Sequence, residues 1–231
     1  MEKIRTPEQR FLRGMPQLGM LEDHEIIELA TRLNKRKYSR GEYIFFQGEQ
    51  VRHLYFLEMG RVEIFKSDIN GRKLTLWYIG EDEIFCLANL YAPVAFATAK
   101  VIEDTLAYSL DKEYFDQLTE RSGKFARNLL RCLSGKLSSY SELVDDMAFR
   151  KIEERVAKIL LEHVPADGPP QFICSLSQEE LAAMAGTSRE VVARCLKSFR
   201  EKGLIRSQHA GRKRCLIVEN FSGLREVAAP R

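Results

Sequence analysis

The sequence predicts an α+β chain in three successive parts: an antiparallel β-roll of the jelly-roll kind over residues 1–111, a long central helix over 112–148, and a small domain of helices and strands over 149–231. Three observations predict this order. Short runs rich in β-branched and aromatic residues alternate with turn signals in the first part. A continuous apolar stripe at helical spacing occupies the second part. In the third part, two short helix patterns meet at a glycine and strand patterns flank them.

The first part begins with an amphipathic helix pattern over residues 21–34, after which the sequence changes to strand patterns. Glycines between the strand patterns predict turns, among them Met59-Gly60 and Asn70-Gly71. For Asn70-Gly71 we predict a tight primed hairpin turn, which needs positive φ at both central residues. So many short strands favour a jelly-roll-like β-roll. The predicted strands have the sequences EYIFFQ, HLYFLE, RVEIFKS, KLTLWYI, AFATAKV and TLAYSL.

The central helix carries apolar residues at alternating spacings of three and four, which is the a/d pattern of a coiled coil. A stripe this narrow needs a partner helix, and a second copy of the chain is the simplest partner. We therefore predict a parallel two-fold homodimer; the alternative is that the stripe packs on the β-roll of its own chain. The predicted dimer seam consists of Leu130, Leu133, Leu137, Tyr140, Val144 and Met147.

The third part has the signals of two short helices joined by a tight turn. Ser177 with Glu180, and Thr187 with Glu190, predict two capping boxes, so that two helices begin ten residues apart. Gly186 between them suits the left-handed conformation that a tight helix–helix turn requires. The strand patterns QFICSL, IRSQ and RCLIVEN flank the pair, with GRKR at the tip of the last hairpin. We predict a winged helix-turn-helix.

The exposed face of the second of these helices predicts a DNA-binding surface. An arginine can bind guanine O6 and N7 together, and a carboxylate can accept from cytosine N4, so we predict base contacts from Arg189, Glu190 and Arg194. The opposing interpretation is a solvated face in which Glu190 pairs with Arg194. The turn, the caps and the basic wing together favour double-stranded DNA. The predicted phosphate contacts are Ser177, Gln178, Thr187, Ser188, Lys197, Arg200, Arg212 and Lys213.

The charge distribution agrees with a polyanionic partner. The net charge is only +3, but from Phe149 onward 15 Lys and Arg stand against 10 Asp and Glu, whereas the first 148 residues hold 21 and 23. The basic excess therefore lies with the predicted helix-turn-helix. The N-terminus lacks a signal-peptide pattern, and no apolar run has the length of a membrane span, so we expect a cytoplasmic protein.

The order of the three parts resembles that of the CRP/FNR family of transcription regulators. The most specific stretch runs from Thr187 to Arg194, TSREVVAR, and is similar to the family's S-R-E-x-x-x-R recognition signature. FFQGE and YFLEMGRVEIF resemble the early strands of the family's cyclic-nucleotide-binding-like domain. The resemblance implies allosteric control by an effector, palindromic DNA with TGTGA-like half-sites, and RNA polymerase as a protein partner. It also implies that Arg189, Glu190 and Arg194 read those half-sites.

The effector is where the sequence departs from the family's best-known members. Cyclic-AMP binders carry a Glu and an Arg for the ribose and the phosphate, and the corresponding stretches here, residues 84–90 and 95–99, have neither. A buried phosphate without its guanidinium is uncompensated, so we do not expect cyclic AMP. No cysteine precedes Cys86, so we do not expect the iron–sulfur cluster of the oxygen-sensing members.

Two effector classes remain. Phe85-Cys86 resembles the Phe-Cys pair of the carbon-monoxide-sensing haem proteins, but Ala88 stands where those have a histidine ligand. Cys86 and His53 are therefore the candidate haem ligands. The other class is a small apolar or aromatic ligand, as in the halophenol-sensing members. The predicted effector pocket consists of Phe85, Cys86, Leu87, Ala88, Asn89, Tyr140 and Ser141, with Phe149 at the hinge.

Other classes of site and function find little support in the sequence. Five cysteines without a C-x-x-C pair predict neither a disulfide framework nor a zinc or iron–sulfur site. We find no phosphate-binding loop and no nucleophile–base constellation, so we do not expect an enzyme. The alternatives that stay open are a DNA-binding protein with a degenerate effector pocket and a regulatory subunit of an enzyme.

Overall fold

The computed structural model describes residues 4–163, 172–174, 176–210 and 213–229. The chain divides into two compact units, Met1–Lys66 with Leu76–Tyr140, and Ser67–Thr75 with Ser141–Arg231. The fold class is α+β, as predicted: an antiparallel β-roll, a long helix and a winged helix-turn-helix. None of the helices in the described ranges has the length and apolarity that a membrane span requires.

The β-roll consists of six strands with helices before and after them. The strands follow the order β1-β6-β3-β4 in one sheet, with β2 beside β6 and β5 beside β3. The elements are α1 (Pro7–Gly14), α2 (Asp23–Thr31), β1 (Asn34–Tyr38), β2 (Tyr43–Phe45), β3 (His53–Ser67), β4 (Lys73–Ile79), β5 (Ile84–Phe85), β6 (Thr98–Asp111), α3 (Lys112–Arg121) and the long helix α4 (Gly123–Phe149).

The predicted turn at Met59-Gly60 is wrong, because β3 runs through it without interruption. Gly60 has φ +96° and lies where the register of β3 against β6 shifts. A Cβ atom at Gly60 would come within 2.5 Å of the Asp104 carbonyl oxygen, so the glycine permits a bulge in which two backbones approach closely. The predicted break between AFATAKV and TLAYSL is wrong for a similar reason, since β6 is one long strand.

The hairpin at Asn70-Gly71 joins β3 to β4 as predicted, but its turn is not the tight primed type. Gly71 has φ +76°, whereas Asn70 is not among the described residues with positive φ. The Asp68 carboxylate accepts from the backbone N–H groups of Asn70 at 2.9 Å and Arg72 at 2.8 Å. These side-chain hydrogen bonds stabilise a wider loop, so that only the glycine needs the left-handed conformation.

Two apolar clusters hold the first unit together. One lies between the sheet and helices α1 to α4, where Leu12, Tyr108 and Phe125 are fully buried. The other fills the inside of the roll around Leu57 and Val62. The helix predicted at 21–34 is α2, shorter at both ends.

The outer face of α4 carries the apolar stripe that predicts a dimer. Phe125 and Leu129 of α4 are buried in the first unit's core. By contrast, the side chains at Leu130, Leu137 and Val144 are 65%, 70% and 61% exposed. These residues share one face at a/d spacing, and within a single chain that face remains in contact with solvent.

In its described residues, the second unit contains three packed helices, a three-stranded sheet and a terminal helix. The antiparallel sheet has the order β7-β9-β8. Leu181, Val192, Leu196 and Phe199 form the centre of its core. The elements are α5 (Ile152–Glu162), β7 (Phe172–Cys174), α6 (Gln178–Ala185), α7 (Arg189–Glu201), β8 (Ile205–Ala210), β9 (Lys213–Val218) and α8 (Phe221–Ala228).

The turn between α6 and α7 has the predicted glycine but only one of the two predicted capping boxes. Ser177 and Glu180 form a reciprocal capping box, and Gly186 ends α6 with φ +61°, as predicted. The box at Thr187 is wrong, because Ser188 is the N-cap and accepts from the Val191 N–H at 3.4 Å. The Thr187 N–H instead donates to the Ala182 carbonyl at 3.0 Å, which closes α6 as in a Schellman motif.

Candidate functional site

Helix α7 separates its residues into a buried face and an exposed face. Val192, Leu196 and Phe199 are buried in the core of the second unit. Arg189, Glu190, Arg194 and Lys197 are all exposed. The three predicted base-reading residues therefore share the free face of the first two turns of α7, which is the part of a recognition helix that meets base edges.

On this face, Arg189 and Arg194 are hydrogen-bond donors and the carboxylate of Glu190 is an acceptor. The pKa of Glu190 is lowered, first by a hydrogen bond with Ser188 and further by the nearby guanidinium groups of Arg189 and Arg194. Glu190 is thus an anionic acceptor at neutral pH. Arg189 Nη1 lies 3.5 Å from the Glu179 Oε1, and both side chains are well exposed, so this contact is weak and competes little with a DNA ligand.

The predicted phosphate contacts at the helix starts have donors to offer. Ser177 Oγ and Ser188 Oγ each accept a capping hydrogen bond from a backbone N–H group. The Ser177 hydroxyl hydrogen remains available as a donor, whereas the Ser188 hydroxyl also bonds to Glu190. Both residues are exposed at the N-terminus of a helix, where the macrodipole favours an anion. Gln178 and Thr187 beside them are partly buried.

The predicted phosphate contacts farther along the chain differ in their surroundings. Lys197 is exposed, with its Nζ 3.8 Å from Glu201 Oε1. Arg200 is partly buried and donates from Nη1 to Ser207 Oγ at 3.5 Å, so it contributes to packing of α7 on β8. Lys213 begins β9, and its side chain lies outside the described atoms, while Arg212 lies outside the described residues.

Arg155 on α5 supports the turn that precedes α7, a role that the sequence did not predict. Its Nε donates to the Ala185 carbonyl at 2.9 Å, and its Nη1 donates to the Arg150 carbonyl at 2.9 Å. Arg150 Nε in turn donates to Asp146 Oδ1 at 2.7 Å. These bonds join the end of α4 to the end of α6, which leads directly into the recognition helix. A charged residue on a helix carries no local signal of such a contact.

A second candidate site is a cavity of about 220 Å³ in the first unit, between the roll and α4. Of the predicted effector-pocket residues, Phe85 to Asn89 and Tyr140 line it. Ser141 is exposed and does not line it, and Phe149 is 76% exposed. The sequence did not predict several other residues that line the cavity, because they come from a strand, a loop and a helix far apart in the chain: Trp77, Phe96, Cys132, Leu133, Lys136 and Leu137.

Aromatic rings form one wall of this cavity. Trp77 and Tyr140 meet edge to face, with ring centroids 4.8 Å apart, and Phe96 lies 6.2 Å from Trp77. Burial raises the pKa of Tyr140 to about 12 and raises the pKa of the Cys86 thiol well above its usual value, so both groups are neutral at physiological pH. The cavity is therefore a neutral, largely apolar site.

The residues present do not fit a haem. Of the two candidate ligands, Cys86 lines the cavity. His53, the other candidate ligand, begins β3 and does not line the cavity. No group of three metal-binding side chains occurs in the described part of the chain.

Comparisons with known proteins agree with this architecture. The cyclic nucleotide-binding domain model matches residues 35–122, and the Crp-like helix-turn-helix domain model matches residues 154–227. The chain is 32% identical over 196 residues to the cyclic AMP receptor protein of Thermus thermophilus, covering 84% of this chain and 90% of that protein. It is 28% identical over 192 residues to a CRP-like cAMP-activated global transcriptional regulator of Mycobacterium tuberculosis, covering 80% and 86%.

Solved structures share the fold. The c-di-GMP responsive global regulator CLP of Xanthomonas campestris matches with a TM-score of 0.76 at 20% identity, over 86% of this chain and 100% of that one. The chain accordingly belongs to the CRP/FNR family of transcription regulators, and its helix-turn-helix is a DNA-binding domain.

Proposed function

We propose that the chain acts as a homodimer that binds palindromic DNA with TGTGA-like half-sites and responds to a small apolar effector other than cyclic AMP. The observation that carries this proposal is the exposed set of Arg189, Glu190 and Arg194 on the first two turns of α7. Two arginines flank an ionised carboxylate there, which matches guanine and cytosine edges in the major groove. RNA polymerase is the protein partner that we propose for a regulator bound at a promoter.

The exposed stripe of α4 supports the homodimer. Leu130, Leu137 and Val144 together present a continuous apolar face that a monomer leaves in water. Pairing two such helices in parallel buries both stripes and relates the two recognition helices by a two-fold axis. A palindromic site has the same symmetry, so each half-site meets one copy of α7.

The chemistry of the cavity supports an effector without a phosphate. The names of two relatives state that they bind or respond to cyclic AMP, but in this chain Lys136 is the one charged residue among the described residues that line the cavity. Its Nζ lies 3.5 Å from Glu83 Oε1, so its charge already has a counter-ion. A buried cyclic phosphate would lack compensation. The open volume also argues against a filled, ligand-independent core.

The proposed effector controls DNA binding through residues that belong to both the cavity and the seam. Leu133 and Leu137 line the cavity and also lie on the exposed stripe of α4. An occupant that moves these side chains changes the surface that each helix offers to its partner. The effector then shifts the population between two helix arrangements in proportion to its differential affinity for them.

Arg189→Ala tests base reading directly. The substitution is expected to weaken binding to a TGTGA-type palindrome by about 1–3 kcal/mol at each half-site and binding to random DNA very little. Lys197→Ala is the matched control. Lys197 is exposed on the same helix, and its substitution is expected to weaken binding to both duplexes equally. Fluorescence anisotropy at fixed salt measures both affinities. An equal loss on both duplexes for Arg189→Ala would contradict the proposed role.

A further inference from the structure

One buried polar atom in the cavity has no partner. Asn89 is 3% exposed and lines the cavity, and its Oδ1 accepts no hydrogen bond from any described residue. Buried side-chain acceptors are almost always bonded, so an orphan in an open cavity points to a donor supplied from outside the chain. Gln17 Oε1 is the other such atom in the described ranges, and Gln17 does not line the cavity.

The backbone fixes Asn89 in this position. Asn89 lies in a short 3-10 helix, Ala88–Leu90, and its N–H donates to the Cys86 carbonyl at 2.9 Å. Cys86 has φ +73°, a conformation that a non-glycine residue rarely adopts. This conformation of the chain is unfavourable in isolation, and such strain is characteristic of ligand sites. The acceptor is therefore preorganised.

The remaining wall of the cavity restricts the shape and charge of an occupant. The rings of Trp77, Phe96 and Tyr140 favour a flat aromatic partner. A cavity of about 220 Å³ exceeds the roughly 150 Å³ of an apolar protein cavity that binds benzene. It therefore accommodates one ring or two small fused rings. Because Lys136 is paired with Glu83, the occupant needs no charge.

We propose that the effector is a neutral, flat ring compound of one or two rings that donates a single hydrogen bond to Asn89 Oδ1. This inference rests on the proposed function, because it names the ligand class of the proposed effector site. Asn89 supplies selectivity for the donor, and the aromatic wall supplies most of the buried contact area. An apolar ring without a donor leaves Oδ1 unsatisfied and binds more weakly.

Indole and indene are suitable probes, since they have nearly the same shape and differ in an N–H group against a CH₂ group. Isothermal titration of the full chain is expected to give an affinity for indole about tenfold higher than for indene, equivalent to about 1.4 kcal/mol. In Asn89→Leu the preference is expected to disappear or reverse. Gln17→Leu is the matched control, and it is expected to keep the tenfold preference.

Equal binding of the two probes to the unaltered chain would overturn the proposal, and so would failure of both to bind. Retention of the preference in Asn89→Leu would also overturn it. The comparison on the unaltered chain holds even if Asn89→Leu does not fold. Titration with cyclic AMP is a separate arm: tight stoichiometric binding would contradict the proposed function, whereas equal indole and indene binding without cyclic AMP binding refutes the ligand class alone.

Discussion

Replacing Leu130 with lysine tests dimerisation without altering the core or the cavity, to both of which α4 also contributes. Leu130 belongs to the apolar stripe and is 65% exposed in the single chain, so the substitution removes no contact from the core. It does not line the cavity, in contrast to Leu133 and Leu137. A monomer that carries this substitution is therefore expected to fold and to keep its ligand site.

The expected loss of dimerisation free energy follows from the exposed fraction of the Leu130 side chain. Complete burial of a leucine side chain contributes about 1.5–3 kcal/mol, so the exposed 65% contributes about 1–2 kcal/mol per chain. The two-fold symmetry of the proposed dimer doubles this loss to about 2–4 kcal/mol. The dimer dissociation constant is expected to rise roughly 30-fold to 1,000-fold, before any cost of burying the lysine charge is added.

Sedimentation equilibrium over a concentration series measures this dissociation constant. Ser138→Lys is the control, because Ser138 is exposed on α4 away from the a/d stripe and receives the same charge. The control is expected to remain a dimer and to bind operator DNA as the unaltered chain does. An unchanged dissociation constant for Leu130→Lys would contradict the proposed seam, because the dimer contact would then lie on another face.

Two further predictions test the local structure. Ser188→Ala is expected to lower the free energy of unfolding by about 1 kcal/mol and to raise the pKa of Glu190 toward its ordinary value, since the N-cap hydroxyl is lost; Thr187→Ala should change both far less. Denaturant unfolding and NMR titration measure these quantities, and a loss from Thr187→Ala as large as that from Ser188→Ala would contradict Ser188 as the sole N-cap. Gly60→Ala is expected to lose about 1–3 kcal/mol more than Gly48→Ala, because both have positive φ but only Gly60 has backbone within 2.5 Å of the added Cβ. Equal melting curves of the two variants would contradict the close approach.

Patterns among neighbouring residues were sufficient to predict the order of the strands and helices. The change from strand patterns to helical spacing near Asp111 corresponds to the end of β6 and the start of α3. Ser177, Glu180 and Gly186 define the beginning and end of α6, because capping and a left-handed glycine depend only on neighbours in the chain. The fold class was predictable for that reason.

The predictions at Gly60 and Thr187 were wrong because the same residue type is compatible with two different local structures. Gly60 has the sequence signature of a turn, but a glycine also permits a bulge in which backbones of adjacent strands approach closely. Thr187 and Ser188 are both good N-caps by composition. The closure of α6 through the Thr187 N–H decides between them, and this depends on the path of the backbone rather than on the residue type.

The cavity was predictable only in part. The stretch from Phe85 to Asn89 was identified through its resemblance to a known family, whereas Trp77 and Lys136 are about ten and fifty residues away from it in sequence. The unpartnered oxygen of Asn89 is a property of the folded interior, since an asparagine in the sequence does not reveal which partners its amide finds. The lining of the cavity and the partners of Asn89 therefore depend on contacts between residues far apart in the chain, which local sequence patterns do not reveal.

Dimeric, sequence-specific DNA binding is tested by titrating the full chain onto a duplex with two TGTGA-type half-sites one helical turn apart, with and without saturating indole. We expect two chains per duplex and an affinity on the order of a thousandfold higher than for scrambled half-sites at physiological salt. One chain per duplex, or equal affinity for the scrambled duplex under both conditions, would contradict this expectation.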